Sequence, residues 1–324
     1  MKAVHIKDLE GPSTVSVAEA DAPSRAGDQV LIDVHAAGVS FPDLLQTRGL
    51  YQVKPELPFV PGAEVAGVVA AAPDGAAVKA GDRVAALPFL GGFAEQVACA
   101  ADAVFPIPDE LGFDQAAAIP FNYLTAHFAL CRRGRMAAGE TVLVHGAAGG
   151  VGTAVIQVAK AFGAGKVLGV VSTPEKGETA VAAGADEYVL AEGFKDAVKA
   201  STGGRGVDVI ADVVGGDRFT DSLRCLAADG RMLVIGFTGG SIPEVKVNRL
   251  LLNNLDVVGV GWGAYALPRP GYLPGQWAEL LPKLASGKIV PPLGGSYPLA
   301  EVRQALEAIE NRKAMGKLIL SVRP

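Results

Sequence analysis

The sequence predicts an α/β protein in which a doubly wound, parallel-sheet domain is joined to a smaller β-rich domain. Three observations carry this. At 324 residues the chain has room for two domains of ordinary size, about 150 residues each. Its first third consists of short β-rich runs cut by prolines and glycines, whereas from residue 141 onward apolar strand runs alternate with helical stretches. Glycine is the compositional outlier, 41 residues where an ordinary share of about 7% would give far fewer, which predicts tight turns and close backbone approaches.

The early strands are expected at 29–36 (QVLIDVHA), 64–72 (EVAGVVAAA) and 82–87 (DRVAAL). Pro55, Pro58, Pro61 and Gly62, then Gly75, Gly81, Gly91 and Gly92, punctuate them. This pattern suits a compact β domain over residues 1–119. The second domain is expected over 120–263, with strands at 141–145, 166–171, 187–190, 207–214, 232–237 and 255–260 and helices at 151–162 and 174–183. Continuous apolar runs of this kind are strands covered on both faces, so the sheet is expected to be parallel and nucleotide-binding in architecture. Residues 264–324 carry a helical stretch from Gln276, a turn at Pro291 and Pro292, a helix near 300–311 and a final strand at 317–322 that returns to complete the first domain.

Half the residues are hydrophobic and 19% charged, the balance of a folded protein. A net charge of −5 supplies no overall positive field for nucleic acid or an anionic membrane, so a small-molecule partner is the expectation. Cys99, Cys131 and Cys225 are odd in number and show no CxxC spacing, which suits a reducing cytoplasm and indicates neither disulfides nor a zinc knuckle. Lys2, Lys7, Asp8 and Glu10 interrupt the N-terminal segment where a signal peptide needs an apolar core, and no apolar run approaches the roughly 18 residues of a membrane span. A cytoplasmic protein is expected.

The strongest local motif is His145-Gly146-Ala147-Ala148-Gly149-Gly150-Val151-Gly152, set between a predicted strand and a predicted helix. A dinucleotide pyrophosphate needs a tight turn out of the strand, backbone bare of side chains, and N–H groups at a helix N-terminus. Gly149, Gly150, Val151 and Gly152 can supply all three, although the spacing is GxxGxxG and a glycine turn can also serve packing alone. About 20 residues further on, where NAD enzymes place a carboxylate for the ribose 2′-hydroxyl, the chain reads Val171-Ser172-Thr173-Pro174-Glu175-Lys176. The strand end carries no acid. Two hydroxyls, Ser172 and Thr173, and Lys176 can instead accept a 2′-phosphate, so NADPH is the expected cofactor. The competing reading makes Ser172 and Thr173 a helix cap and Lys176 a solvated helix residue.

Six segments in order, AGVSFPD (37–43), TRGLY (47–51), PGAEVAG (61–67), AGDRV (80–84), GFAE (92–95) and GETVLVHGA (139–147), give a chain that resembles the medium-chain dehydrogenase/reductase superfamily over nearly its whole length. The closer resemblance is to the zinc-independent, zeta-crystallin-like quinone oxidoreductases. It implies a Rossmann domain and a GroES-like catalytic domain, NADPH as cofactor, a homodimer, and a cleft between domains where a planar acceptor meets the nicotinamide. Zinc alcohol dehydrogenases of the superfamily place a cysteine in the segment matching 38–43 and a histidine in that matching 62–64. Here those segments carry Ser40 and Ala63, so no metal is expected, and Asp43 and Glu64 are read as structural carboxylates.

The same resemblance implies roles for single residues. Ser40 stands where many relatives have asparagine and can offer a hydroxyl to substrate. Tyr51 matches a cleft tyrosine that could donate a proton or hydrogen bond to a developing oxyanion; its other reading is a loop aromatic between domains. Phe41 either lines an apolar acceptor pocket or belongs to the core. Thr125 and Asn122 lie near the nicotinamide in such proteins, or serve as helix caps. Phe237 and Thr238, and Gly259, Val260 and Gly261, follow strands at the carboxyl edge where cofactors bind. Arg312 matches an arginine that contacts the cofactor phosphate in some relatives, but the tyrosine that assists it there is not evident here, its place falling near Glu192, which leaves a surface charge as the alternative.

Without a Lewis acid, direct hydride delivery to an electron-poor quinone or enone remains feasible. Two alternatives stand beside it. One is an enoyl-thioester reductase using Arg132, Arg133 and Arg135 as a basic mouth for the thioester's phosphate groups. The other is a non-catalytic NADPH-binding structural or sensor protein. The apolar strand at 255–260 is the expected seam of the homodimer, since such an edge needs covering.

Overall fold

The computed structural model describes residues 1–323. The chain divides into two compact units: Met1–Asn122 with Pro270–Ala285 and Pro291–Pro324, and Tyr123–Arg269 with Ser286–Val290.

The first unit is built on a seven-stranded sheet. Its central strand, Gln29–Val39, alternates half-buried and buried residues along its first eight positions and is buried at the last three. It pairs antiparallel with Glu64–Ala71, with Gln96–Ala100 and with the last strand of the chain, Lys317–Ser321. Leu293–Pro298 adds parallel to that last strand, and Arg83–Ala86 and Val104–Pro106 extend the other side. The terminal strand therefore joins the sheet of the first unit. Lys2–His5 and Ser16–Glu19 form a separate antiparallel pair.

The second unit carries six parallel strands in the spatial order Glu187–Leu190, Lys166–Val171, Thr141–His145, Val207–Asp212, Leu226–Val234, Asp256–Gly259. Numbered along the chain the order is 3-2-1-4-5-6, the doubly wound arrangement whose switch point lies between the first and fourth strands. The helices Gly150–Ala161 and Pro174–Ala182 follow the first and second strands. The core of this unit gathers Leu143, Leu168, Ile210 and Met232 from four adjacent strands with Phe194, Val198 and Leu223 from the helices.

Two strands of this unit depart furthest from their sequence expectation. The fifth runs Leu226–Val234, not 232–237. Its start is irregular: Val207 pairs with Leu226 and then Val209 with Arg231, and Asp229 takes a left-handed φ of 62° between them. Its end comes early because Thr238 turns back, its N–H and its hydroxyl each donating to the Val213 carbonyl at 3.0 Å. The fourth strand stops at Asp212, not at residue 214, because that carboxylate draws the chain into a turn through the Val214 and Gly215 N–H groups.

Candidate active site

In the second unit, the parallel sheet brings the ends of four site-bearing strands to one edge. Gly149, Gly150, Val151 and Gly152 follow the first strand, Ser172, Thr173 and Lys176 the second, and Phe237 and Thr238 the fifth. Gly259 ends the sixth, followed by Val260 and Gly261. The turn leaves His145 through Gly146, whose φ of 64° needs glycine. Gly149 is the N-cap of Gly150–Ala161 and has no side chain to occupy the first-turn N–H groups. At Gly152 a Cβ would come within 2.1 Å of the Gly146 carbonyl oxygen, so only glycine lets the helix approach the turn this closely. The result is a bare-backbone cradle at a helix N-terminus on the switch point, the arrangement that holds a pyrophosphate.

Thr173 caps the next helix, its Oγ1 accepting the Lys176 N–H at 3.4 Å, while Ser172 is exposed at the strand end. Both readings of this segment thus share the same residues, and no carboxylate ends the strand. The Thr238 hydroxyl gives its proton to Val213, and the Gly259 carbonyl accepts Arg133 Nε at 2.8 Å. Phe237 is exposed, while Val260 is buried and its N–H donates to Val234. Behind the glycine turn, buried His145 shares a 2.8 Å hydrogen bond between Nε2 and Ser222 Oγ and packs edge-on to Phe194. Burial pulls its imidazole down to about 4, Arg218 adding to the effect and Asp212 opposing it. Sequence reasoning had no signal for Ser222, which lies 77 residues away.

The first unit holds Ser40, Phe41, Tyr51, Asn122 and Arg312. Here the structure reveals a buried charged cluster. Gly38 and Glu64 are register partners on adjacent strands, and Lys317 begins the strand on the other side of Gly38. A Cβ at Gly38 would meet Lys317 Cε at 2.7 Å and Glu64 Cγ at 2.8 Å, so the glycine makes room for the lysine stem. Lys317 Nζ pairs with Glu64 Oε1 and donates to Ser40 Oγ at 2.5 Å. Ser40 Oγ also reaches Glu64 Oε1 at 3.1 Å, and Glu64 Oε2 accepts the Phe121 N–H at 2.8 Å in the first turn of Pro120–His127. That helix places Asn122, whose Nδ2 is buried without a hydrogen-bond partner, and then Thr125, already in the second unit and buried.

Asp43 completes the cluster. Its Oδ2 accepts the Ser40 N–H at 2.7 Å, while Oδ1 is buried without a partner. Burial pushes this carboxyl up to about 7, against the pull of the Ser40 N–H and the Lys317 ammonium. Tyr51 is half-buried, and its phenol is raised by burial and by the Asp43 charge. Phe41 is half-buried at the start of the helix Phe41–Thr47, and Arg312 is exposed at a left-handed φ of 57°.

The donor set at the superfamily's zinc positions does not fit that metal. It consists of a hydroxyl, a methyl group and a carboxylate already neutralised by Lys317, with no thiolate or imidazole. Among the described residues no group of three or more His, Cys, Asp or Glu side chains could hold a metal ion.

Comparison with known proteins agrees with this architecture. Residues 26–109 match the family model for the alcohol dehydrogenase GroES-like domain, and residues 150–286 that for zinc-binding dehydrogenase. The chain is 40% identical to quinone oxidoreductase-like protein 2 of Rattus norvegicus over 99% of its own length and 92% of the relative's. Among solved structures, a probable oxidoreductase from Mycobacterium abscessus superposes with a TM-score of 0.91 at 45% identity, covering 99% of both chains. The quinone oxidoreductase of Thermus thermophilus, solved also as its NADPH complex, superposes with a TM-score of 0.86 at 36% identity, covering 99% of this chain and 100% of that one.

Proposed function

The chain belongs to the quinone oxidoreductase family of the medium-chain dehydrogenases and reductases, and from that premise we propose that it is an NADPH-dependent reductase of quinones or enones that works without zinc. The observation that carries the reading is the phosphate cradle at Gly149, Gly150, Val151 and Gly152, followed by a strand end with two hydroxyls and no carboxylate. Bound NADPH supplies the hydride. Ser172, Thr173 and Lys176 select the 2′-phosphate, and Gly259, Val260 and Gly261, with Phe237 and Thr238, line the remainder of the cofactor edge. Arg312 is assigned to a cofactor phosphate.

In the first unit, Phe41 and Asn122 receive the acceptor. The unpartnered Asn122 Nδ2 is a donor suited to a carbonyl oxygen, since a buried N–H left unmade costs about 1–3 kcal/mol. Tyr51, Ser40 and Thr125 are assigned to the reacting region. Tyr51 keeps its proton at neutral pH and can donate it, whereas the Ser40 hydroxyl is already engaged with Glu64 and Lys317 and acts by holding that cluster. Positioning and exclusion of water supply most of the rate in such a site.

The engagement of the three arginines favours the quinone over the thioester reading. Arg132 lies 4.5 Å over the Tyr265 ring, Arg133 is bonded to Gly259, and Arg135 is paired with Asp256 at 3.2 Å. A homodimer is proposed through the edge strand Asp256–Gly259, which has a sheet neighbour on one side only and is preceded by exposed Leu251 and Leu252. A monomer by light scattering at micromolar concentration would refute this. No helix among the described residues is long and apolar enough to cross a membrane. The odd number and wide spacing of Cys99, Cys131 and Cys225 support a reducing, cytoplasmic setting.

The test is NADPH consumption by metal-free protein offered an ortho-quinone and crotonyl-CoA in parallel. Faster turnover of the quinone is expected. Preference for the thioester moves the protein to acyl reduction, and tight NADPH binding without turnover of either makes it a sensor.

A further inference from the structure

Of the buried side-chain atoms that lack a hydrogen-bond partner among the described residues, Asn122 Nδ2 alone is a donor at every pH; the His5 and His145 nitrogens and Asp43 Oδ1 change role with a proton. An orphaned buried donor costs free energy and would swing to any acceptor in reach unless the backbone beneath it were held. Asn122 has held neighbours on both sides. Tyr123, the next residue, gives its phenol proton to Gln157 Oε1 at 2.7 Å, and that amide is closed onto Val290, Nε2 donating to the carbonyl at 2.7 Å and Oε1 accepting the N–H at 3.1 Å. Phe121, the residue before, gives its backbone N–H to Glu64 Oε2 at 2.8 Å.

The Glu64 bond is the unusual one. A first-turn N–H has no acceptor within its own helix and commonly goes to water or to a local cap. Here it goes to a fully buried carboxylate 57 residues away in sequence. A buried carboxylate stays charged only with a cation beside it. Lys317 pairs with Oε1, to which Ser40 Oγ also donates at 3.1 Å, and Oε2 is left for Phe121. Glu64 and Lys317 lie on the two strands that flank Gln29–Val39 at its C-terminal end, so the oxygen that takes the Phe121 N–H is fixed by the sheet and not by a loop.

We propose that Glu64, balanced by Lys317 and steadied by Ser40, is a positioning residue for acceptor binding: by fixing the Phe121 N–H it sets where Asn122 Nδ2 stands, unpaired, for a carbonyl oxygen of the acceptor. This rests on the reductase reading above, in which Asn122 receives the acceptor. In this role Glu64 touches neither acceptor nor cofactor and acts through the backbone of residues 121 and 122. Its loss therefore weakens acceptor binding and leaves NADPH binding alone.

The experiment compares two double variants of the full chain, both of which leave the cluster uncharged. Lys317→Met with Glu64→Gln keeps an oxygen for the Phe121 N–H; Lys317→Met with Glu64→Met fills a similar volume without one. With the first, the quinone KM stays within about threefold of wild type; with the second it rises about tenfold or more, while the NADPH Kd by nicotinamide fluorescence stays within about twofold in both. In an Asn122→Ala background, itself raised in quinone KM, the difference between the two pairs vanishes, since the donor being placed is gone. A general loosening of the fold would act in either background.

Equal KM for the two pairs, or a difference that survives in Asn122→Ala, overturns the proposal. If the methionine pair yields no folded protein, Ser40→Ala carries the same comparison. It withdraws one donor from Glu64 and raises the quinone KM about threefold with Asn122 present and not with Asn122→Ala; no effect, or the same effect in both backgrounds, overturns the proposal. A wild-type KM in Asn122→Ala also overturns it, and the reductase reading stands as long as the quinone is reduced. If only crotonyl-CoA is reduced, the quinone reading falls, and the same comparison made with the thioester KM decides the role of Glu64. If neither is reduced, both fall.

Discussion

Replacing Lys317 by methionine removes the cation of the buried cluster while keeping most of the apolar stem. Glu64 is fully buried and Lys317 only 3% exposed, so water cannot substitute for the lost charge. Breaking a buried pair from one side costs about 3–5 kcal/mol, because the remaining ion is left uncompensated. The Phe121 N–H and Ser40 hydroxyl stay on Glu64, which places the cost at the lower end, about 3 kcal/mol. At roughly 2–4 °C per kcal/mol the melting temperature falls by about 6–12 °C. The assay is thermal unfolding of the wild type, Lys317→Met, Glu64→Gln and the double variant. Removing the stranded carboxylate should restore much of the loss, so the cycle should give a coupling energy of about 2 kcal/mol or more. Additive losses, with coupling below about 0.5 kcal/mol, would refute the account of Lys317 and Glu64 as one balanced unit.

Gly152→Ala places a methyl group 2.1 Å from a backbone oxygen and should weaken NADPH binding at least about tenfold, read by nicotinamide fluorescence; a wild-type Kd would remove the glycine turn from the cofactor site. Ser172→Asp puts a carboxylate where a 2′-phosphate is expected, so the NADPH/NADH ratio of kcat/KM should drop by about tenfold or more, and an unchanged ratio would sink that assignment. His145 is held near 4 against an ordinary 6.5, so the unfolded chain takes up the proton first. Its contribution is therefore intact above pH 6.5 and is lost as pH falls from 6.5 through 4, by about 3 kcal/mol in all. Urea midpoints between pH 7 and 4 should show this decline in the wild type and a shallower one in His145→Gln; equal slopes would contradict it.

The parallel sheet was largely legible because its strands are runs of Val, Ile and Leu too short for helices. The strands 141–145, 166–171 and 187–190 occur at their expected bounds. The fifth strand was misjudged at both ends, where Ala227, Asp229 and Gly230 carry no β signal and where a side-chain bond from Thr238 ends the pairing. The glycine turn could be read because one short segment contains all its parts. The charged cluster could not be: Lys317 lies 253 residues from Glu64 and 277 from Ser40, and only the pairing of the last strand with Gln29–Val39 joins them. Asp43 and Glu64 were read as structural carboxylates, but the sequence held no sign that Glu64 is paired with a buried lysine.

The return of the final strand to the first unit also fixes the order in which the protein can be made. The stretch from Tyr123 to Arg269 that forms most of the second unit is contiguous and can assemble while synthesis continues. The first unit, begun earlier, lacks both Leu293–Pro298 and Lys317–Ser321 until those segments have been made, and until then Glu64 has no lysine partner. The unit that begins first is thus completed after the second, and a nascent chain stalled before Lys317 would expose an open sheet edge beside an unpaired Glu64, a form that quality-control proteases could distinguish from the folded molecule.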